Sequence, residues 1–127
     1  MEKITLELPG GSSKYKDQSS TLLALQELAE ETSGYEPQEI IALLPGGVWF
    51  EPSGWNTPFY PFLFLECRKT KNGERAKPDQ GEYMEVVEIP LIEWFEMCLE
   101  KGQIRDSKSI TTTALAQKHL KKLGMIL

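Results

Sequence analysis

The sequence predicts a mixed α/β domain, a layered sheet with helices on its faces, on three observations. Short apolar runs bounded by Pro and Gly recur along the chain, and amphipathic stretches at helical spacing stand among them. The two kinds alternate irregularly, which suits a mixed sheet better than a strict βαβ repeat. The 127 residues match the common size of one domain, 1–127, and carry no internal repeat.

Taken in order, Ile4-Thr5-Leu6-Glu7-Leu8 alternates like a half-buried strand and runs into Pro9-Gly10-Gly11, a turn that lets backbone approach a ligand closely. A polar loop, Ser12 to Ser20, leads into a helix that Ser19, Ser20 or Thr21 can cap and Gly34 can close in the left-handed conformation. Glu39 to Leu44 reads as a buried strand and Phe59 to Cys67 as another, with Pro58 and Pro61 confining its start to an edge or bulge. Arg68 to Gln80, rich in Lys, Gly, Asp and Pro, reads as a loop, and Glu85 to Ile89 as a short strand. Pro90 suits a helix start; Ile92, Phe95 and Leu99 follow at helical spacing, and Gly102 stops them. A last helix is expected over Thr111 to Leu123.

The first helix carries the chemistry. In Gln26-Glu27-Leu28-Ala29-Glu30-Glu31, residues at i, i+3 and i+4 share a face, so Glu27, Glu30 and Glu31 fall within about 100° of one another. Like charges so placed repel unless a cation or solvent relieves them, and hard divalent ions such as Mg²⁺ take oxygen ligands of this kind. Leu25, Leu28, Ala29 and Thr32 give the opposite, mostly apolar face. The plain alternative is that the acids are the solvated side of an amphipathic helix.

This stretch resembles the signature of the Nudix hydrolases, G-x5-E-x7-R-E-U-x-E-E-x-G-U with U aliphatic or aromatic. Glu27, Leu28, Glu30, Glu31, Gly34 and Tyr35 fall on signature positions. Gln26 stands where the signature has Arg, Gln18 where it has its first Glu, Ser33 is one residue extra before the glycine, and Gly11 lies one residue further upstream. Two further segments are similar to the ADP-ribose pyrophosphatase branch: Gly81 to Leu91, like its acidic loop and following strand, and Gly102-Gln103-Ile104-Arg105-Asp106-Ser107-Lys108-Ser109-Ile110, like the opening of its last helix.

The resemblance implies a Nudix-like α/β/α sandwich, N-terminally shortened because only eight residues precede Pro9. It also implies divalent-metal-dependent hydrolysis of the pyrophosphate bond in a nucleoside diphosphate linked to another moiety, with an ADP-ribose-type substrate favoured. Glu27, Glu30, Glu31 and the carbonyl of Gly10 would hold Mg²⁺ or Mn²⁺, with Glu30 and Glu31 also catalytic. Glu82 is the expected distal acid or base with Glu85 second, and a neighbouring acid of the branch is replaced by Gln80. Gly46, Gly47, Trp49 and Glu85 are the expected substrate contacts. The glutamines Gln18, Gln26 and Gln80 favour a second reading, a Nudix-fold protein that binds such ligands without cutting them. Shortening exposes an edge strand, and a homodimer is one way to cover it.

Other residues carry less. Trp49, Phe50 and Trp55 follow Gly46-Gly47, where an aromatic can stack on an adenine, although large aromatics more often pack or form lids. His119, the single histidine, lies among Lys118, Lys121 and Lys122 and reads as a surface or boundary residue. No Ser-His-Asp, Cys-His or P-loop pattern supports another chemistry. The net charge of −5, from 14 basic and 19 acidic residues spread along the chain, offers no phosphate-neutralising cluster for a nucleic-acid polymer. Neither a membrane-length apolar run nor a secretory signal is visible, so a cytoplasmic location is expected, with Cys67 and Cys98 as two reduced core thiols.

Overall fold

The computed structural model describes residues 8, 19–32, 34–49, 58–69 and 85–127. Within them the protein is a mixed α+β chain of three helices and two two-stranded antiparallel sheets. It divides into two compact units, one holding residues 19–32, 34–42, 62–69 and 85–87, the other 43–49, 58–61, 88–127 and Leu8.

In the first unit, α1 spans Ser20–Glu31. Of the three possible caps, Ser19 is the one used: its backbone is extended and its Oγ accepts from the Leu22 N–H at 3.1 Å, satisfying a donor the helix cannot. At the other end the Thr32 N–H bonds the Leu28 carbonyl at 3.0 Å, and the Thr32 hydroxyl donates to the same oxygen. Gly34, at φ +95°, sends its N–H back to the Ala29 carbonyl at 2.9 Å and turns the chain out of the helix.

The strands β1 (Tyr35–Glu36) and β2 (Glu39–Ala42) follow, and β3 (Phe62–Leu65) and β4 (Arg68–Lys69) return antiparallel to them. Tyr35 pairs with Lys69, Glu36 with Arg68, Glu39 with Leu65 and Ala42 with Phe62, so both sheets keep one register across the corner at 37–38 and 66–67. The Gln38 N–H to Leu65 carbonyl bond, 3.0 Å, bridges that corner, and Glu66 turns it at φ 51°. On one face Phe62 and Phe64 stack, ring centroids 6.3 Å apart, opposite Ala42 and Ile40.

Four expectations change here. The β2 strand ends at Ala42 rather than Leu44 and is half-buried, not buried, with Leu44 exposed. The second strand starts after Pro61, whose ring cannot donate to the ladder, while Phe59 pairs separately with Val48. Arg68 and Lys69, read as loop, are drawn into β4 by Tyr35 and Glu36. Residues 85–89 form no strand among the described residues; β-branched Val86 and Val87 favour extended backbone but make no ladder, and both are exposed. The expected strand over Ile4 to Leu8 lies outside the described residues except for Leu8.

In the second unit, Pro90 precedes α2 (Leu91–Phe95), which passes into a π-helical turn, Glu96–Glu100, closed by the Lys101 N–H on the Glu96 carbonyl at 2.8 Å. Gly102, at φ +64°, ends it as expected. The buried line is Phe95 and Cys98; Ile92, which shares helical spacing with Phe95, is 72 % exposed. The last helix, α3 (Ser107–Lys122), begins four residues before the expected Thr111 because Asp106 caps it. Its end is a Schellman motif: Gly124, at φ +71°, bonds the Lys121 carbonyl and Met125 the Leu120 carbonyl. The core here is Phe95, Cys98, Ile104 and Leu120, with the Trp94 indole N–H donating to the Thr113 hydroxyl at 2.9 Å to tie α2 to α3.

Candidate functional site

The acids of α1 sit at a border. Leu28 is the buried residue of the helix, Glu27 and Glu31 are half-buried, and Glu30 is exposed. Glu27 and Glu31, four apart, lie on one line of the helix beside the buried stripe, and Glu30 stands about 60° to 100° around from them. Gln26, Glu27 and Glu31 each have an interaction partner. The apolar face is carried by Leu28, with Leu25, Ala29 and Thr32 half-buried around it.

The donor chemistry of this helix suits a hard cation, since carboxylate oxygens are what Mg²⁺ and Mn²⁺ take. Among the described residues, no three His, Cys, Asp or Glu side chains converge to hold a metal ion. That arrangement is compatible with Mg²⁺, which usually keeps several waters and is held by one or two carboxylates plus substrate phosphates. Gly10, Gln18, Ser33, Phe50, Trp55, Gln80 and Glu82 lie outside the described residues. Glu85 is described and exposed, on a segment outside helix and strand in the same unit as α1.

Gly46, Gly47 and Trp49 belong to the other unit. The Gly47 N–H bonds the Leu44 carbonyl at 2.9 Å, closing a turn over Pro45-Gly46. At φ +83°, Gly47 adopts a conformation that favours glycine, and a Cβ there would meet Pro58 Cβ at 2.9 Å and Tyr60 Cε1 at 3.0 Å. Packing inside this hairpin therefore explains Gly47 without a ligand. Gly46 faces open space. Trp49 is 48 % exposed beside the Val48–Phe59 pair and Tyr60 is 44 % exposed, leaving aromatic surface open to a partner.

The segment 102–110 has a structural explanation of its own. Asp106 Oδ2 accepts from the Ser109 N–H (3.1 Å) and the Ser109 hydroxyl (2.7 Å), and Oδ1 accepts from the Lys108 N–H (3.4 Å). The Ser109 hydroxyl in turn accepts from the Leu8 N–H at 3.0 Å, and Ile104 is 2 % exposed. Aspartate three residues before a serine that also bonds it is a helix-start device, and this one needs no substrate.

The cysteines differ from the expectation of two core thiols. Cys98 is buried, its Sγ pointing at the Ser109 carbonyl at 3.8 Å, whereas Cys67 is exposed; both are free. The Cys67 sulfur nevertheless tucks against the Phe64 carbonyl at 3.7 Å, and partial burial of that end pushes the thiol pKa up. His119 is half-buried in the last turn of α3, as a boundary residue should be. One feature gave no signal in the sequence: an open groove of about 430 Å³ beside α2, lined by Ile92, Phe95, Glu96, Glu100, Gln117 and Met125 among others.

Compared with known proteins, the chain matches no family model, and no curated protein matches it. Among the described residues, no helix is long and apolar enough to cross a membrane.

Proposed function

We propose that this chain is a divalent-metal-dependent hydrolase of the pyrophosphate bond in a nucleoside diphosphate linked to another moiety, ADP-ribose-type substrates favoured, on a Nudix-like sandwich. One observation carries the reading: a helix capped by Ser19 and closed by Gly34 holds Glu27, Glu30 and Glu31 along its solvent border. Glu27, Glu30 and Glu31, with the carbonyl of Gly10, would hold Mg²⁺ or Mn²⁺. When bound, such an ion neutralises phosphate charge and lowers the pKa of a nearby water. The chain's own part is to orient the diphosphate and to accept a proton, a task assigned to Glu82 with Glu85 second. Trp49, 48 % exposed, is assigned to the substrate as an aromatic that can stack on a base.

A second reading is binding without hydrolysis. It is favoured by the exposed position of Glu30 and by the lack of a converged three-acid group among the described residues, together with Gln18, Gln26 and Gln80.

Incubation with ADP-ribose and Mg²⁺, followed by ³¹P NMR, separates the two. Release of AMP, lost in Glu31→Gln with unchanged circular dichroism, supports hydrolysis. Saturable binding without AMP supports the second reading, and neither binding nor turnover overturns both.

A further inference from the structure

We propose that the groove beside α2 is the contact surface of a symmetric homodimer, in which α2 of one copy lies against the end of α3 of the other. This is independent of the hydrolase reading and concerns one unit alone.

The floor of the groove is apolar, Phe95 with Ile92 and Met125, and Ile92 and Met125 are 72 % and 54 % exposed. Leu91 on the same helix and Leu123 at the end of α3 add further exposed apolar surface, at 44 % and 50 %. Apolar side chains grouped in this way, with a charged rim, mark an interaction surface more often than chance exposure.

Charge selects the occupant. Along α2 and its π turn, Glu93, Glu96 and Glu100 recur three and four residues apart; at the end of α3 stand Lys118, Lys121 and Lys122. Lys121 is four residues beyond the groove residue Gln117 and so shares its side of the helix. Among these, Glu96 pairs with Lys101 at 3.6 Å, while Glu93, Glu100, Lys118, Lys121 and Lys122 make no salt bridge among the described residues.

An acidic rim beside an apolar groove asks for a basic, apolar segment. The end of α3, with its lysines next to Leu123 and Met125, is such a segment. Because groove and segment adjoin on one surface, a two-fold axis lets each copy supply both halves, the self-complementary condition of an isologous interface. The glutamates of α2 and its π turn and the lysines at the end of α3 then meet across the axis, giving register and partner choice.

Sedimentation velocity of the full chain over a range of concentrations tests this. A dimer is expected whose dissociation constant rises about tenfold or more in Ile92→Glu, a change of more than about 1.4 kcal/mol; the exposure of Ile92 predicts unchanged folding. Glu100→Lys and Lys121→Glu should each weaken the dimer, and the double variant should restore it. A monomer at every concentration, or a dimer indifferent to Ile92→Glu, overturns the proposal. A double variant no tighter than the singles overturns the pairing of α2 with α3.

Discussion

Around α3, Phe95, Cys98, Ile104 and Leu120 are buried with Ser109 and Thr113 hydrogen-bonded among them, whereas along α1 Leu28 alone is buried and the carboxylates stand at its edge. Both helices begin on a side-chain cap and end on a glycine, so local signals are equally good in the two places. The difference is what the caps are tied to. Asp106 grips a serine that is 1 % exposed and is itself bonded to Leu8, while Ser19 is exposed and its hydroxyl accepts from the nearby Leu22 N–H. One region is closely packed; the other carries its acids at an exposed edge.

The largest expected effect follows from that contrast. Ile104→Ala should cost about 2–5 kcal/mol, because a fully buried side chain leaves a cavity, and Leu28→Ala should fall at the low end of that range. Urea unfolding of the two variants checks it; a greater loss at Leu28 would reverse the comparison.

A smaller effect is expected at the caps. Asp106→Ala removes the acceptor of three hydrogen bonds and leaves the buried Ser109 hydroxyl without its acceptor, at about 1–3 kcal/mol. Ser19→Ala should cost about 0.5–1 kcal/mol and raise hydrogen exchange in α1 alone. Equal costs would mean that the network around Ser109 adds nothing to a simple cap.

How far these features were legible follows from the same physics. The α1 helix could be read because its cap, apolar spacing and closing glycine are all local. Periodicity alone began α3 four residues late, because Ser107 to Ile110 has little of it and the deciding signal is the cap from Asp106, inside the 102–110 segment that resembles a helix opening. Pairing was less legible: Arg68 and Lys69 become a strand only because Tyr35 and Glu36 lie opposite, and Val86 and Val87 join no ladder among the described residues. The exposure of Ile92 was not legible either, since helical spacing groups it with Phe95 and Leu99 while Phe95 and Cys98 set the buried side. Of the candidate site, the acids of α1 could be located from spacing; the structural reason for Gly47 could not, because it depends on Pro58 and Tyr60 across the hairpin.

The smallest effect is chemical. A raised pKa means less thiolate at a given pH, so Cys67 should be alkylated by iodoacetamide more slowly near pH 8 than an unperturbed cysteine, and faster as pH rises. Cys98, buried in the stable region, should react only after unfolding. Mass spectrometry of the modified peptides reads both, and early labelling of Cys98 would show the core around α3 to be looser than its burial indicates.

The central claim is that the carboxylates of α1 take up a divalent ion against a diphosphate. Electron paramagnetic resonance of Mn²⁺, titrated into the chain with a methylene-bridged ADP-ribose analogue, tests it most directly. The account predicts binding that weakens about tenfold or more, by at least about 1.4 kcal/mol, when Glu27, Glu30 and Glu31 are all changed to Gln, with helix content retained. Equal binding in both proteins, or none in the unsubstituted chain, would contradict it.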